Sequence, residues 1–331
     1  MPEQHITSPG QLLDVTSAYW KSCTLHAGVM LDLFSALGTE TKGAADLAAH
    51  LSCGQAELTQ LLNALTAMGL LVKVDENYSN TEISSQFLDK KAPGYLGYII
   101  MHHHHLVDGW AQLADAVRHG GPVEMRDFGE EQERESFLFG MHNLASANAP
   151  VLARQIDLKD RKHLLDLGGG PGTYAIAFCR ENPGLRATIF DRPGTERYAR
   201  QKIEKSAAAD RISFVGGDFT ADPLAGPYDV AWLSQILHSN GPKTCRRLLQ
   251  KTVQAMEPGG LIMIHEFFLN DTMAGPLFPA LFSLNMLINN GVGRSYSASE
   301  IGEMLTEAGA SNIHRLSYQG PNDSFILCAT A

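Results

Sequence analysis

The segment Leu164-Leu165-Asp166-Leu167-Gly168-Gly169-Gly170-Pro171-Gly172 joins a short apolar run to three alternating glycines. The run His163–Leu167 has the composition of a buried strand, and a helix is expected to begin directly after the glycines, at Thr173. Glycines at such a turn let the backbone approach a ligand closely, and ligands of open parallel sheets bind at the carboxyl ends of the strands. The segment therefore predicts a ligand-binding α/β sheet.

Short apolar strands alternate with helices through the rest of residues 161–331. Strands are expected at His163–Leu167, Arg186–Asp191, Arg211–Val215, Tyr228–Leu233 and Leu261–Glu266. Helices are expected at Thr173–Glu181, Thr195–Ser206, Lys243–Met256 and Ser299–Ala308, with Pro258-Gly259-Gly260 ending the third helix before the last strand. This alternation predicts a Rossmann-like, doubly wound, mostly parallel sheet with helices on both faces.

The first hundred residues have a different pattern, which is mostly helical. Helical spacing at Ala44–Leu51 and Glu57–Leu65 is followed by a short hairpin, Leu70–Val74 and Tyr78–Thr81. This order is typical of a winged-helix domain, and many such domains bind DNA. The second helix, Gln55–Met68, contains no Lys or Arg, although a helix in the major groove needs cations for the phosphates. The pattern therefore favours packing against protein rather than nucleic acid.

Length and composition limit the possible domain organisation and binding partners of the chain. Its 331 residues, 44% of them hydrophobic, fit a helical domain over residues 1–100, a helical connector over 101–160 and an α/β domain over 161–331. A net charge of −10 argues against attachment to nucleic acid or anionic lipid through overall charge. Five scattered cysteines without a CxxC pair suit a reducing cytoplasm, and no apolar run approaches the roughly 20 residues of a membrane span.

Other nucleotide motifs are excluded by the spacing of the glycines. A dinucleotide fingerprint needs glycine at position 173, which is Thr173, and no Gly-Lys pair of a P-loop follows. Asp191 ends the second strand, where a carboxylate can accept both hydroxyls of a ribose, and Gly217-Asp218-Phe219 ends the third. Each feature alone also fits a tight turn or a helix cap. Together they predict an adenosine ligand without a pyrophosphate.

Residues 161–331 resemble a class I S-adenosylmethionine (SAM) dependent methyltransferase. The resemblance rests on the glycine segment, on Gly217-Asp218-Phe219, on Leu237-His238, and on Pro258-Gly259-Gly260 with the later Glu266. The whole chain resembles the small-molecule O-methyltransferases with an N-terminal winged-helix dimerisation domain, such as plant caffeate-type and bacterial natural-product enzymes. The resemblance implies SAM as cofactor, a small-molecule methyl acceptor and a homodimer formed through the N-terminal domain.

The resemblance also implies which residues form the site. Cofactor contacts are expected at Asp166, Gly168, Gly170, Asp191, Asp218, Phe219 and Ser234. Met141 falls where the family places a methionine against the reacting groups. Phe282, Met286 and Asn290 are candidates for the wall of the substrate pocket, although Phe282 and Met286 at i, i+4 also fit an ordinary core.

His238 corresponds to the family's general base, and Glu266 to a carboxylate that orients it. A structural histidine and a solvent-facing carboxylate at the strand end are the alternatives. Moving a proton from a phenol to an imidazole costs about 5 kcal/mol, against roughly 12 kcal/mol from a water-like alcohol. The pair therefore predicts methylation of a phenol or enol.

Three serines depart from the family pattern. Ser239 stands where the family commonly has Asp, Ser295 where a second glutamate often flanks the base, and Ser283 where an Asp is usual. Fewer carboxylates make the histidine a weaker base. This departure keeps open a more acidic acceptor, C- or N-methylation, or another reaction on the same scaffold. The winged-helix outline separately keeps open a non-catalytic SAM-sensing regulator, although the uncharged second helix counts against it.

Four consecutive histidines, His102-His103-His104-His105, invite comparison with a metal site. On a helix, successive side chains diverge by about 100°, so that of these four only His102 and His105 share a face. No cysteine or carboxylate nearby in the sequence completes a ligand set, and we expect no metal. Because the family's substrate cavity is partly walled by the connector, one of these imidazoles is a candidate pocket residue.

Overall fold

The computed structural model describes residues 6–123 and 131–331. These residues form two compact units, one made of residues 6–107 with 131–143 and the other of residues 108–123 with 144–331. The three-part division at residues 100 and 160 stays a prediction. Within the described ranges, no helix is both long enough and apolar enough to cross a bilayer.

The N-terminal unit is mostly helical and contains a small antiparallel sheet of order β1-β3-β2. Its elements are α1 Pro9–Met30, α2 Leu33–Leu37, β1 Lys42–Gly43, α3 Ala44–Leu51, α4 Gln55–Ala67, β2 Leu71–Val74, β3 Asn77–Asn80, α5 Glu82–Phe87 and α6 Gly97–His104. The expected order of helix, turn, helix and hairpin is present between α3 and β3. Leu47, Leu62 and Leu65 are buried with Tyr78 of the hairpin, so that the apolar faces of α3 and α4 close on this sheet.

The C-terminal unit contains a seven-stranded sheet of order β6-β5-β4-β7-β8-β10-β9. Three helices precede this sheet in sequence: α7 Val107–Ala111, α8 Leu113–His119 and α9 Glu131–Gln155. The sheet and its helices are β4 His163–Leu167, α10 Thr173–Glu181, β5 Arg186–Asp191, α11 Glu196–Ile203, β6 Ile212–Gly216, β7 Tyr228–Ser234, α12 Pro242–Gln254, β8 Met256–Glu266, α13 Leu277–Asn289, α14 Ala298–Glu307, β9 Ser311–Arg315 and β10 Phe325–Thr330. Strands β4 to β8 are parallel, whereas β10 pairs antiparallel with β8 and β9.

Alternating side chains of each central strand enter different apolar layers. Leu165 and Leu233 pack in the layer that holds α12 and α14, while Leu164 and Trp232 pack in the layer that holds α10. Because helices cover both faces, these strands are apolar at nearly every position. The predicted doubly wound α/β fold is confirmed.

Several bounds differ from the sequence-based expectation; α11, for example, was expected over Thr195–Ser206 and spans Glu196–Ile203. The third helix was expected to include Met256, but it ends at Gln254 and β8 already begins at Met256. Pro258 and its two glycines do not interrupt the strand, because the Gly259 N–H donates to the carbonyl of Ala331 at 2.9 Å. The three elements α13, β9 and β10 were not predicted. Helix α13 tolerates Pro279 because this residue lies in the first turn, where no backbone N–H is needed for the helical hydrogen bonds.

Candidate functional site

The glycine loop between β4 and α10 is open on its outer side. Gly168, Gly170 and Gly172 have φ of +67°, +55° and +78°, which L side chains rarely adopt. A Cβ at Gly168 would lie 2.5 Å from Ile236 Cγ2, so packing excludes a side chain there. A Cβ at Gly170 would meet nothing within 4 Å. The loop therefore leaves a cradle at the carboxyl edge of the sheet.

Two carboxyl groups, the half-buried Asp191 and the buried Asp166, support this cradle. Asp191 accepts the Gly170 N–H at 2.7 Å, and burial raises its pKa. Asp166, 1% exposed, lies beneath the loop and accepts the Ala175 N–H at 3.2 Å. Burial raises the pKa of Asp166 to about 7. Asp166 thus connects the loop to the first turn of α10, and Asp191 lies at the edge of the cradle.

Asp218 and Phe219 follow the neighbouring strand β6. Asp218 is exposed, and its Oδ1 accepts the N–H and the hydroxyl of Thr220 at 2.8 and 2.7 Å. These bonds lower the pKa of Asp218. Phe219 is half-buried against the apolar layer, and its carbonyl accepts from Lys251 Nζ at 2.9 Å. Since β6 pairs with β5, both residues lie one strand away from Asp191.

His238 and Glu266 meet at the ends of β7 and β8. His238 lies in the turn Leu237–Ser239, and its Nδ1 is 2.8 Å from Glu266 Oε2. The other oxygen, Oε1, accepts the Leu237 N–H at 2.9 Å and the His238 N–H at 3.4 Å. Exposure is 8% for His238 and 4% for Glu266. One carboxylate thus holds both the ring and the turn that carries it.

Aromatic side chains enclose this pair. The Phe282 ring lies edge-on to the His238 ring with centroids 4.7 Å apart, and Phe267 lies 6.4 Å from the same ring. Phe278, one turn before Phe282 on α13, contacts Phe267 at 4.9 Å. Phe267 and Phe278 were not predicted; the signal for them was a phenylalanine directly after Glu266 and the i, i+4 spacing along α13.

Two other predicted wall residues lie at the end of α13. Asn290 donates to the Ser239 carbonyl at 3.2 Å and accepts the Gly293 N–H at 2.8 Å. Met286 is buried, with its Sδ 3.9 Å from Asn290 Nδ2. Asn290 therefore ties the end of α13 to the turn that carries His238, while contact with an acceptor stays a prediction for both.

The serines that replace two family carboxylates touch each other. The Ser295 N–H donates to Ser283 Oγ at 3.3 Å, and the buried Ser295 hydroxyl donates to the Pro279 carbonyl at 2.8 Å. Both positions are therefore neutral and bonded within the protein. Within residues 6–123 and 131–331, the carboxylate hydrogen-bonded to His238 is that of Glu266.

Ser234 lies at the end of β7 and contacts a histidine that the sequence analysis did not single out. Its Oγ is 3.1 Å from Nδ1 of His265, and His265 Nε2 is 3.1 Å from Ser324 Oγ. Burial lowers the pKa of His265 to about 4. Because His265 and Glu266 are neighbours on one strand, their side chains point to opposite faces of the sheet.

The remaining predicted residues belong to the N-terminal unit. Met141 lies in α9, and the four histidines close α6, with the His104 ring 5.5 Å from that of His26. In the described part of the chain, no three His, Cys, Asp or Glu side chains are grouped as metal ligands. A place in the substrate pocket stays a prediction for Met141 and for the histidines.

Two family models match the chain. The O-methyltransferase domain matches residues 110–311, and the O-methyltransferase dimerisation domain matches residues 13–90. The chain belongs to the O-methyltransferase family.

Relatives of this methyltransferase match over nearly its whole length. The 3-hydroxy-5-methyl-1-naphthoate 3-O-methyltransferase of Streptomyces sahachiroi is 33% identical, over 96% of this chain and 94% of the relative. TcmO of Streptomyces glaucescens, a tetracenomycin polyketide 8-O-methyltransferase, is 31% identical over 97% of both chains. PigF, a SAM-dependent methyltransferase of a Serratia strain, has a solved structure with S-adenosylhomocysteine (SAH); it is 28% identical, covers 98% of this chain and 100% of its own, and superposes with a TM-score of 0.90.

The protein is thus a SAM-dependent O-methyltransferase of small molecules, and the family and cofactor predictions are confirmed. The sheet edge fits this cofactor. The cradle at Gly170 is open, and the Asp191 carboxylate beside it is an acceptor of the kind that ribose hydroxyls require.

Proposed function

We propose that this methyltransferase methylates a phenolic or enolic hydroxyl of a small aromatic metabolite, with His238 as the general base. The observation that carries the proposal is the 2.8 Å contact between His238 Nδ1 and Glu266 Oε2. A carboxylate at this position accepts the Nδ1 proton, so Nε2 has a free lone pair with which to accept the hydroxyl proton of the acceptor.

Each part of the site then has a separate role. When bound, SAM supplies an electrophilic methyl group on a sulfonium. His238 Nε2 takes the acceptor's proton, and the Glu266 carboxylate stabilises the imidazolium that results. Phe267, Phe278 and Phe282 exclude water from the pair and offer flat apolar surfaces to an aromatic ring.

The neutral serines bear on which acceptor is used. Glu266 supports His238, whereas Ser283 and Ser295 add no charge beside it. We therefore infer an acceptor hydroxyl more acidic than a simple phenol. The named relatives act on a hydroxynaphthoate and a tetracenomycin polyketide, and hydroxyls of such fused aromatic systems fit this inference.

The proposed contacts follow the geometry of the sheet edge. Cofactor contacts are proposed for the loop glycines Gly168 and Gly170, for Asp191 with the ribose, for Asp218 and Phe219 with the adenine, and for Ser234. Asp166 holds the loop from below. Phe282, Met286 and Asn290 are proposed to line the acceptor's side, and a substrate contact of Met141 stays a prediction of the family resemblance.

We also propose a homodimer formed through a winged-helix N-terminal domain, in the cytoplasm. Large apolar side chains on α1 are more than half exposed: Leu12 at 55%, Leu13 at 66%, Tyr19 at 60% and Trp20 at 63%. Exposed apolar patches of this kind mark protein interfaces, and the dimerisation-domain match over residues 13–90 includes most of this helix.

Replacing His238 by glutamine tests the role of the base. Glutamine fills a similar space without a basic nitrogen, so kcat with a hydroxynaphthoate acceptor and methyl-labelled SAM should fall by about 10²- to 10⁴-fold. Calorimetric affinity for SAH should stay within about threefold of wild type. The matched control is His314→Gln, an exposed histidine on β9, which should leave both quantities unchanged. A His238→Gln enzyme with wild-type kcat would remove His238 as the base.

A further inference from the structure

His265 is a buried imidazole that the proposed chemistry does not use. It is 2% exposed and lies in the apolar layer opposite Glu266, where its ring stacks 5.7 Å from that of Trp232. Tyr174, at the start of α10, and Tyr318 approach the same ring at 6.2 and 6.1 Å. A polar side chain in such a layer costs stability unless its hydrogen bonds are satisfied.

Both nitrogens of His265 have a hydroxyl partner. Nδ1 is 3.1 Å from Ser234 Oγ, and Nε2 is 3.1 Å from Ser324 Oγ. Burial favours the neutral ring, which has one donor and one acceptor, and a hydroxyl can serve either. The ring is therefore held from two sides, by the end of β7 and by the residue before β10.

The backbone of His265 forms a second hydrogen bond to the end of β7. The N–H of Gln235 donates to the His265 carbonyl at 2.8 Å. Gln235 has φ of +56°, a conformation that residues other than glycine rarely adopt. A side-chain bond at Ser234 and a backbone bond at Gln235, both before the turn Leu237–Ser239, together fix the direction in which the chain leaves β7.

This strand end lies beside the glycine loop. Leu167 pairs with Leu233, so Gly168 and Ser234 are the next residues of two neighbouring parallel strands. A Cβ at Gly168 would lie 2.5 Å from Ile236, which shows how closely the loop and the turn pack. A small shift of Ser234 would therefore change the edge at which the cofactor binds.

We propose that His265 is a positioning residue of the cofactor site, holding the Ser234 hydroxyl and the turn after it where they bind the nucleoside of SAM or SAH. The inference rests on the proposed cofactor contact of Ser234. The Nδ1 side of the ring sets cofactor affinity, whereas the Nε2 side holds the ring in place through Ser324.

Two amide substitutions separate these sides. The amide of His265→Asn lies near the position of Nδ1 and can replace its bond to Ser234, whereas the amide of His265→Gln reaches the position of Nε2 and replaces the bond to Ser324. Glutamine nearly fills the space of histidine, whereas asparagine leaves a cavity that lowers thermal stability. The two variants thus separate cofactor affinity from fold stability.

The measurement is calorimetry of the full chain with SAH, without acceptor, together with thermal melting. His265→Gln should melt above His265→Asn and yet bind SAH about five- to tenfold more weakly than wild type, the effect of one lost hydrogen bond. His265→Asn should stay within about twofold of wild type. In turnover assays, KM for SAM should rise in His265→Gln while KM for the acceptor and kcat hold.

Ser234→Ala completes a double-mutant cycle with His265→Gln. It should weaken SAH binding as much as His265→Gln does, and the double variant should bind no more weakly than either single variant. If His265→Gln, the variant expected to melt higher, also bound SAH more tightly than His265→Asn, the role of His265 would be structural and the proposal would be overturned. Normal binding by Ser234→Ala would overturn the Ser234 contact itself, whereas weak binding by Ser234→Ala with normal binding by His265→Gln would overturn the role of His265 alone.

Discussion

The two carboxylate oxygens of Glu266 have different partners, one a side chain and the other a backbone N–H. Oε2 meets His238 Nδ1, and Oε1 accepts the Leu237 N–H, so both sides of the group must be acceptors. The amide in Glu266→Gln has one acceptor oxygen for two donors. Either the Leu237 N–H loses its partner, or the NH₂ group faces Nδ1 and moves the ring proton to Nε2, where it blocks the base.

We therefore expect Glu266→Gln to lower kcat by about 10²- to 10⁴-fold, a loss of the kind seen when a triad histidine is held in the wrong tautomer. SAH affinity, measured by calorimetry, should change little. Glu307→Gln removes an exposed carboxylate paired with Arg246 and is the matched control. Turnover within threefold of wild type in Glu266→Gln would show that the carboxylate does not control the tautomer.

At the scale of single residues, the sequence predicted this pair and its neighbour Phe282, but not Phe267, Phe278 or His265. The order of motifs places His238 and Glu266 at neighbouring strand ends. Nothing local marks His265, which reads as one more residue of a strand until its partners Ser234 and Ser324 are known. The contact between Ser283 and Ser295 likewise depends on the fold, because the two are separated by the end of α13 and a loop.

Helix α1 provides a test at the scale of an element. Its exposed apolar face is proposed to meet the same face of a second chain. Trp20→Glu would place an unpaired charge in that interface, and we expect the dimer dissociation constant to rise at least about 100-fold. Sedimentation velocity at micromolar concentration measures the change.

The matched control introduces the same charge elsewhere. Val215→Glu lies on the edge strand β6, where the valine is 43% exposed, and should leave the oligomeric state unchanged. A wild-type chain that sediments as a monomer at micromolar concentration would contradict the proposed dimer. Equal dissociation of both variants would show that α1 is not its specific interface.

Elements were predicted well where one periodicity dominates. Strands β4 and β5 and helix α10 have the expected bounds, because apolar runs alternate there with clear turn residues. Strand β9 was missed because Ser311–Arg315 lies at the sheet edge, largely exposed, and has no apolar alternation. The start of β8 was missed because its partners, Tyr228 for Met256 and Ala331 for Gly259 and Gly260, are remote in sequence.

Stability as a function of pH is a property of the whole molecule. Burial lowers the pKa of His265 from 6.5 to about 4 in the folded chain. Between these pH values the unfolded chain binds a proton that the folded chain does not, so the free energy of unfolding decreases as pH falls from about 6.5 to 4. Asp166 affects the pH dependence of stability in the opposite direction. Its pKa is raised to about 7, so the folded chain keeps a proton there and stability is lost as pH rises toward 7.

Urea unfolding between pH 4.5 and 7.5 should separate the two effects. Relative to wild type, Asp166→Asn should gain stability as pH rises, and His265→Gln should lose it, each by at most about 1.4 kcal/mol per pH unit. The difference from wild type cancels the groups common to all three proteins. Parallel curves for the three proteins would contradict both assignments.

Strand β8 carries two side chains for which we propose tasks in different halves of the reaction. Glu266 contacts His238, and His265, one residue earlier, contacts Ser234 on the opposite face of the sheet. Loss or gain of one residue within the strand would exchange their faces, presenting an imidazole to His238 and a carboxylate to Ser234. The number of residues in β8 between its pairing partners is therefore more strictly constrained than the identity of most of them, because a substitution changes one side chain whereas an insertion or deletion exchanges the faces of both His265 and Glu266.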